Sequence, residues 1–199
     1  MSHSFSMVVD PVQLDNITKR LDGIAYKSPT VLKTAANDTG KKAVKLIEQG
    51  IKDEYTYQGN ANLKDYLKRK SASYANPRST ITVKSSMNEI IDFDVSNRTP
   101  LAWTDPASWV AGHVRSDTSR TPLMQTGHKA FVINVNNKSG SSHLTVVART
   151  TGRHVSTIYA PSFTHMVKRT YEEVEDVVSK TLQINVEKQI EKVMSVING

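Results

Sequence analysis

Six histidines are the residues in this sequence that are best suited to bind a metal ion. Their spacing is unfavourable, because no HxH or HExxH pattern occurs among them. A folded sheet could bring His143 and His154 together, but neither has a carboxylate or a cysteine close by in the sequence to complete a site. His3 lies in an N-terminal segment that we expect to be mobile. We therefore predict no metal site and interpret these residues as polar surface or strand positions: His3, His113, His128, His143, His154 and His165.

Catalytic patterns are equally weak. Asp92 and Asp94 alternate with apolar residues and could act as paired acids, but the outward polar set of a half-buried strand explains them more simply. No GxSxG, GxxxxGK[ST] or GxGxxG motif occurs, and the single glycine of Thr151-Gly152-Arg153 cannot cradle a phosphate alone. The sequence therefore predicts neither an enzyme nor a bound cofactor.

Positive charge is concentrated in one quarter of the chain. Lysine and arginine outnumber the acids 26 to 19, which gives a net charge of +7. The segment from Lys41 to Lys84 contains ten basic residues and four acidic ones. Such a segment could attract phosphates without reading their sequence, although a solvated helix face would look the same. The candidates for lining a DNA channel are Lys64, Lys68, Arg69, Lys70 and Arg78.

Two further groups of residues suggest contacts with other proteins. Trp103 and Trp109 lie in the stretch 96–127, which has no clear period and contains three prolines. Large aromatic residues often anchor interfaces, though these two could equally pack on the subunit's own core. Near the C-terminus, acids on the outer positions of a predicted helix form an acidic surface that could meet the basic segment of another copy. The candidate interface residues there are Glu172, Glu173 and Asp176.

Composition narrows the class of protein. Cysteine is absent, so disulfide scaffolds, thiolate catalysis and cysteine-bound zinc are excluded. No window approaches the roughly 18 apolar residues that cross a bilayer, and the N-terminus lacks the pattern of a signal peptide. We expect a soluble protein of 199 residues folded as a single domain, 1–199, with an insertion-like loop at about 96–127.

The spacing of apolar residues predicts the elements that must position these side chains. Apolar residues at intervals of three and four positions predict four helices. These are a short helix over 10–24, a long helix over about 28–51, a short helix around 63–70 and a C-terminal helix of about 30 residues from Pro161. Alternating or continuous apolar residues predict strands at 81–84, 91–95 and 154–159. Two apolar runs joined by a polar turn predict a hairpin of 129–135 with 143–149. The fold class is therefore α+β: a mainly antiparallel sheet flanked by a long N-terminal and a long C-terminal helix, with a long central excursion.

Several segments resemble, in their residues and in their order along the chain, the phage tail-completion proteins of the minor tail protein Z class, which are related to the neck proteins of long-tailed phages. The segments are TVLKTAANDTGKKAVKLIEQGI, LKRKSASYANPRSTITVKS, HKAFVINV, LTVVARTTGR and IYAPSFTHMV. One departure is Ala160, which stands where glycine is expected before Pro161. At that position the backbone must therefore avoid the left-handed conformation.

The resemblance implies a ring of identical subunits, a hexamer, that finishes the tail near the head of the virion and has no catalytic residues. Its partners would be the tail tube or tail terminator, the head connector and, transiently, the passing genomic DNA, after assembly in the host cytoplasm. A membrane is not among them. Three alternatives stay open: a tail terminator that stops tube growth, a sequence-independent DNA-binding protein, and an enzyme of unrecognised type.

Overall fold

The computed structural model describes residues 2–7, 19–20, 27–59, 62–102, 104–136, 140, 142–151 and 154–197. It is an α+β structure with two long helices, α1 (Ser28–Glu54) and α3 (Phe163–Ile197), and antiparallel strand pairs. The chain divides into two compact units. Unit 1 comprises Met1–Gln49, Leu63–Ser85 and Thr164–Gly199, and unit 2 comprises Gly50–Asn62 and Ser86–Phe163.

Unit 1 combines a three-stranded sheet with parts of both long helices. The strands are β1 (Ser2–Met7), β2 (Leu67–Lys70) and β3 (Ser79–Lys84), in the antiparallel order β1-β3-β2, and the four-residue helix α2 (Leu63–Tyr66) leads directly into β2. One core cluster joins α1 to α3, because the apolar side of each helix faces the other. Its buried members are Val31, Leu32, Ala35, Leu182, Val186 and Ile190.

Helix α1 packs very closely on the sheet of unit 1. A Cβ atom added to Gly40 would lie 2.4 Å from Ser79 Oγ, so any larger residue at this position would require the Ser79 side chain or the helix to shift. One turn earlier, the Asn37 side chain accepts a hydrogen bond from the Ala72 amide at 2.8 Å and donates one to its carbonyl at 3.2 Å. Asn37 therefore satisfies the backbone just beyond the end of β2, where no strand does so.

Unit 2 is built from small antiparallel sheets. Its core contains Phe93 and Phe163, and the Tyr57 ring meets both edge-on at 5.4 and 5.0 Å. The strands are β4 (Asn88–Glu89), β5 (Asp94–Val95), β6 (Ala111–His113), β7 (Thr121–Pro122), β8 (Met124–Gln125), β9 (His128–Asn136), β10 (Ser142–Arg149), β11 (Val155–Thr157) and β12 (Tyr159–Ala160). They pair in the orders β11-β10-β9-β8, β5-β6-β7 and β12-β4.

The structure confirms the predicted fold class and most of its long elements. Both long helices, strand β3 and the hairpin of β9 with β10 lie where the periodicity places them. Within the excursion 96–127 the chain forms a 3-10 turn at Pro106–Ser108 and the short strands β6, β7 and β8. None of the helices in the described ranges is long and apolar enough to cross a membrane.

Three local predictions are wrong. The helix expected around 63–70 ends at Tyr66, and the residues Lys68, Arg69 and Lys70 form strand β2 instead. The strand expected at 91–95 is a 3-10 turn over Ile90–Asp92 followed by the two-residue strand β5. The segment around His3, expected to be mobile, forms β1 against β3. The short helix predicted over 10–24 lies almost entirely outside the described residues.

Candidate functional site

Trp109 borders a cleft in unit 2 and is held there by two local structures. The Asp105 carboxylate accepts a hydrogen bond from the Ala107 amide at 2.8 Å and so caps the turn Pro106–Ser108 that precedes the tryptophan. Trp109 then forms an antiparallel bridge with Phe131 of β9. The residue Trp109 remains 40% exposed, and the Lys129 ammonium lies 3.3 Å from the centroid of its ring, which is a cation–π contact.

A tight turn positions the basic residues of the same cleft. Thr126 and Gly127 both have positive φ, 47° and 78°, and they join β8 to β9 in a two-residue hairpin that pairs Gln125 with His128. Thr126 is the only non-glycine residue with positive φ among those described, and its hydroxyl donates to the Arg149 carbonyl at 3.0 Å. This bond ties the turn to the end of β10, so His128, Lys129 and Arg149 converge.

The cleft has a volume of about 320 Å³ and is open to solvent. Its described lining contains three basic side chains, the exposed indole, the buried Phe131 ring and no carboxylate: Thr104, Trp109, Gly127, His128, Lys129, Phe131 and Arg149. Such a lining can hold an anion at its cationic edge and a planar group against its aromatic part.

A second charged region lies on unit 1, on the side of the sheet that faces away from α1. Lys68 pairs with Thr82 and Lys70 with Thr80, so these residues share one face with Lys84, whereas Ile81 and Val83 are buried on the other. The three lysines are exposed. We call Lys68, Lys70, Lys84, Thr80 and Thr82 the basic sheet face.

The other residues predicted to line a DNA channel are placed differently. Arg69 belongs to the opposite side of β2, where its guanidinium donates to Asn37 Oδ1 at 3.2 Å and to Ser79 Oγ at 3.4 Å. It therefore fastens the sheet to α1. Lys64, in α2, and Arg78, just before β3, are both exposed on unit 1. The structure thus brings Lys68 and Lys70 together and assigns Arg69 a different partner.

The predicted acidic interface residues all lie on the exposed side of α3. Two of them take part in weak pairs within the helix, Lys168 with Glu172 at 3.8 Å and Arg169 with Glu173 at 3.7 Å. Glu175 and Asp176 are exposed and form no ion pair within the described part of the chain. We call Glu172, Glu173, Glu175 and Asp176 the acidic helix face. Trp103, the other predicted interface residue, lies outside the described residues.

The two aspartates considered as catalytic acids have separate environments in unit 2. Burial raises the pKa of Asp92, and the nearby Glu89 raises it further, while Arg98 opposes the shift. Asp94 accepts two hydrogen bonds from the Arg120 guanidinium, at 2.6 and 2.9 Å, and these lower its pKa. Asp94 Oδ2 also lies 3.3 Å from His113 Nδ1. One carboxylate is therefore held in an ion pair, whereas the other is partly buried beside Glu89.

Metal chemistry finds little support in the described residues, which contain no cluster of three or more histidine or acidic side chains suited to an ion. Two histidines among the described residues lie near an acid: His113 near Asp94, and His143, whose Nε2 is 3.6 Å from Glu89 Oε1. Within the described ranges each of these histidines contacts one acid, which is fewer ligands than a zinc or calcium site has.

The sequence names Trp109 as a possible interface residue, and it does not indicate the residues that make the cleft beside it cationic. Lys129 and Arg149 belong to two strands of one predicted hairpin, so the register of that hairpin could have placed them side by side. No sequence signal indicates that Trp109, some 20 residues earlier in the chain, would join them, because a bridge between Trp109 and Phe131 is a long-range contact. Comparisons of the chain with protein-family models, with curated proteins and with solved structures found no match.

Proposed function

We propose that this chain is a structural protein of a tailed-phage virion, which completes the tail and helps to join it to the head connector as one subunit of a ring. The proposal starts from the sequence resemblance to tail-completion proteins. The observation that supports it most is that unit 1 exposes two surfaces of opposite charge, the basic sheet face and the acidic helix face. A ring needs two different, complementary patches on every subunit.

The charges of the two faces are available for contacts between subunits. Pairs such as Lys168 with Glu172 are exposed on both sides, so exchanging them for a partner's charges costs little free energy. Charges of this kind contribute more to the rate and orientation of docking than to affinity. The proposed contact therefore needs an apolar component as well, and α3 exposes Val177 and Ile184 along its outer side.

Paired charge reversals test this contact. One variant carries Lys68→Glu and Lys70→Glu, and a second carries Glu175→Lys and Asp176→Lys, since neither acid takes part in an ion pair among the described residues. Each variant presents like charges at its own proposed contact. We expect wild type to form particles near six times 22.1 kDa in native mass spectrometry and each variant alone to stay small.

An equimolar mixture of the two variants provides the sharper test. Each proposed contact in the mixture joins opposite charges again if the two variants alternate, and a six-membered ring closes under such alternation. We expect the mixture to recover particles of wild-type mass at low salt. A control variant with Lys42→Glu and Lys45→Glu changes the same charge on α1, outside both faces, and should assemble as wild type does.

Two outcomes contradict the proposal. Wild-type protein that remains a 22.1 kDa particle at every concentration, also with purified tail-tube and connector proteins, would exclude a ring subunit. Assembly that the charge reversals do not affect would exclude these two faces as the contact.

A second function, sequence-independent binding of DNA, is favoured by the basic sheet face. Three lysines and two threonines on one face can contact phosphates without reading bases. This function is an alternative to the subunit contact described above, because a face buried against a neighbouring subunit cannot contact DNA. In a monomer that binds DNA tightly, it would be the main functional surface.

A further inference from the structure

The outer edge of strand β9 is only partly covered. On one side, β9 pairs with β10 along most of its length. On the other side, β8 pairs with the first two residues of β9, and Trp109 forms its bridge with Phe131. Beyond this bridge, no strand of the described chain pairs with that side of β9. The segment 132–136 is therefore an open strand edge, which we call the β9 edge.

The backbone groups of this edge point away from β10. The Ala130 amide donates to the Leu123 carbonyl at 2.9 Å, and the Ala130 carbonyl accepts from the Val110 amide at 3.0 Å. Alternate residues of a strand direct their polar groups to the same side, so those of Asn134 and Asn136 point outward as well. Within the described ranges neither residue forms a backbone hydrogen bond on that side. Such groups can pair with another strand.

The β9 edge lacks the features that normally protect a strand edge. Charged residues, prolines and β-bulges keep exposed edges from pairing with other chains. Residues 132–136 read VINVN and contain neither a charge nor a proline, and their pairing with β10 runs on without a bulge. The two asparagines are exposed, and Ile133 and Val135 are only half-buried. Both the backbone and the side chains of this edge are therefore suited to pairing.

We propose that the β9 edge binds the β9 edge of a second copy of this chain, antiparallel and with Asn134 on the two-fold axis. In this register Asn134 faces its own copy, and the two residues exchange both backbone hydrogen bonds. Ile133 lies opposite Val135 of the second copy, so these apolar side chains cover each other. Neither segment carries a charge that opposes the contact. Antiparallel pairing of identical strands is two-fold symmetric, so one patch serves both copies.

The other symmetric registers along this edge are less favourable. A pair centred on Val132 would place the second copy on the bridge between Trp109 and Phe131. A pair centred on Asn136 would extend beyond the end of β9. The contact is short, and small interfaces associate weakly, so it forms at high protein concentration. It belongs to unit 2, does not depend on ring formation, and involves neither charged face of unit 1.

Disulfide trapping tests this register, because the chain contains no cysteine of its own. Asn134→Cys places two thiols across the axis, where the Cα atoms of a hydrogen-bonded antiparallel pair are about 5.5 Å apart. This separation allows a disulfide. The purified full chain is oxidised at high concentration and run on a non-reducing denaturing gel, which separates any ring into its chains. We expect a band at twice 22.1 kDa that disappears on reduction.

Two matched variants carry the cysteine at exposed positions that the proposed pairing keeps apart. In Asn136→Cys the thiols lie on opposite sides of the axis along the strands, and in Leu144→Cys they lie on the two β10 strands, opposite Asn134. Either arrangement separates the Cα atoms by roughly 14 Å, given the rise per residue and the spacing of strands. A disulfide cannot span more than about 7 Å. We expect the dimer band of Asn134→Cys to be much stronger than those of both controls.

Proline substitutions test the backbone hydrogen bonds. In the Asn134→Cys background, Asn136→Pro removes an outward amide of the β9 edge and preserves the hydrogen bonds with β10. Leu144→Pro removes an amide that points to the opposite edge of the hairpin, as the Val146 carbonyl does when it accepts from the Ile158 amide. We expect Asn136→Pro to reduce the dimer band and Leu144→Pro to leave it unchanged. Circular dichroism of both variants checks folding.

Three results would overturn the proposal. Absence of the dimer band in Asn134→Cys would mean that a second copy does not occupy the edge. Equal bands for the three cysteine variants would mean that the chains collide at random. A band that Asn136→Pro leaves unchanged would mean that backbone pairing does not hold the contact. If a proline unfolds the hairpin, the comparison of the three cysteine positions decides alone.

Discussion

Asp92 and Asp94 show how two identical side chains, two positions apart, acquire opposite properties from their surroundings. Burial raises the pKa of Asp92, which therefore carries its charge at a cost in the folded state. Hydrogen bonds from Arg120 lower the pKa of Asp94, so the folded state favours its charge. The alternating pattern of the sequence predicts both as equivalent outward acids, because a pattern contains no information on Arg120, which is 26 residues away.

Replacement of Asp94 by asparagine should lower the free energy of unfolding at neutral pH. The pKa of Asp94 lies below its usual 3.8 in the folded protein, so its contribution is fully present above about 3.8. That contribution is lost as the pH falls through the lowered pKa of the folded state. In urea unfolding we therefore expect a gap in the free energy of unfolding between wild type and Asp94→Asn at neutral pH, and we expect this gap to close in strong acid.

Asp117→Asn is the matched control for Asp94→Asn. Asp117 also binds an arginine through two hydrogen bonds, from Arg115 at 2.9 and 3.0 Å, but within a local turn and with 62% of its side chain exposed. Exposed local pairs contribute little to stability. We expect the loss of stability in Asp117→Asn to be smaller than that in Asp94→Asn, and an equal or larger loss would contradict the structural importance assigned to Asp94.

Helices in which apolar residues recur over many turns could be predicted from the sequence, whereas elements of one turn or a few residues could not. Helices α1 and α3 repeat their apolar residues over many turns, so the periodic signal is strong. The spacing of Leu63, Tyr66 and Leu67 covers only one turn. Pairing of β2 with β3 buries Leu67 in a strand, and this long-range pairing outweighs the local preference. Strand β1 likewise depends on β3, which is distant in sequence.

Helix α1 contacts the sheet of unit 1 at Gly40, where a small residue is needed. In an exposed helix interior, alanine would stabilise the helix by about 1 kcal/mol over glycine. Here its Cβ would lie 2.4 Å from Ser79 Oγ, and overpacking of a tight contact costs about 1–3 kcal/mol. We expect Gly40→Ala to lower the free energy of unfolding, measured by urea denaturation, although it raises helix propensity.

A double-mutant cycle checks the cause. Ser79→Ala removes the oxygen that the new methyl group would meet, while the Ser79 Cβ, 3.1 Å from that position, stays. The double variant Gly40→Ala/Ser79→Ala should therefore recover much of the stability that Gly40→Ala loses, which appears as a favourable coupling energy. Additive losses in the cycle would show that the contact between α1 and the sheet is not the reason for the glycine.

At the scale of the whole molecule, the sequence predicted which residues carry charge but not which of them share a surface. Lys68, Arg69 and Lys70 are consecutive, yet the strand turns Arg69 toward Asn37 and the two lysines outward. The Trp109 cleft combines three segments through backbone bridges that leave no local trace in the sequence. Which residues share a surface depends on the register of the strands. That register is determined by packing between segments that are distant in the sequence, so no single segment predicts it.

The affinity for duplex DNA should depend on where the positive charges lie, and not only on the net charge of +7. A triple variant, Lys68→Gln, Lys70→Gln and Lys84→Gln, and a matched triple variant at the exposed Lys180, Lys188 and Lys192 of α3 lose the same charge. If the basic sheet face contacts phosphates, only the first variant should lose affinity steeply, and its log–log salt slope should fall by about 0.9 for each contact removed. Fluorescence anisotropy over a salt series measures both quantities. Equal losses in the two variants would mean that the binding reflects net charge alone and that the sheet face has no special part in it.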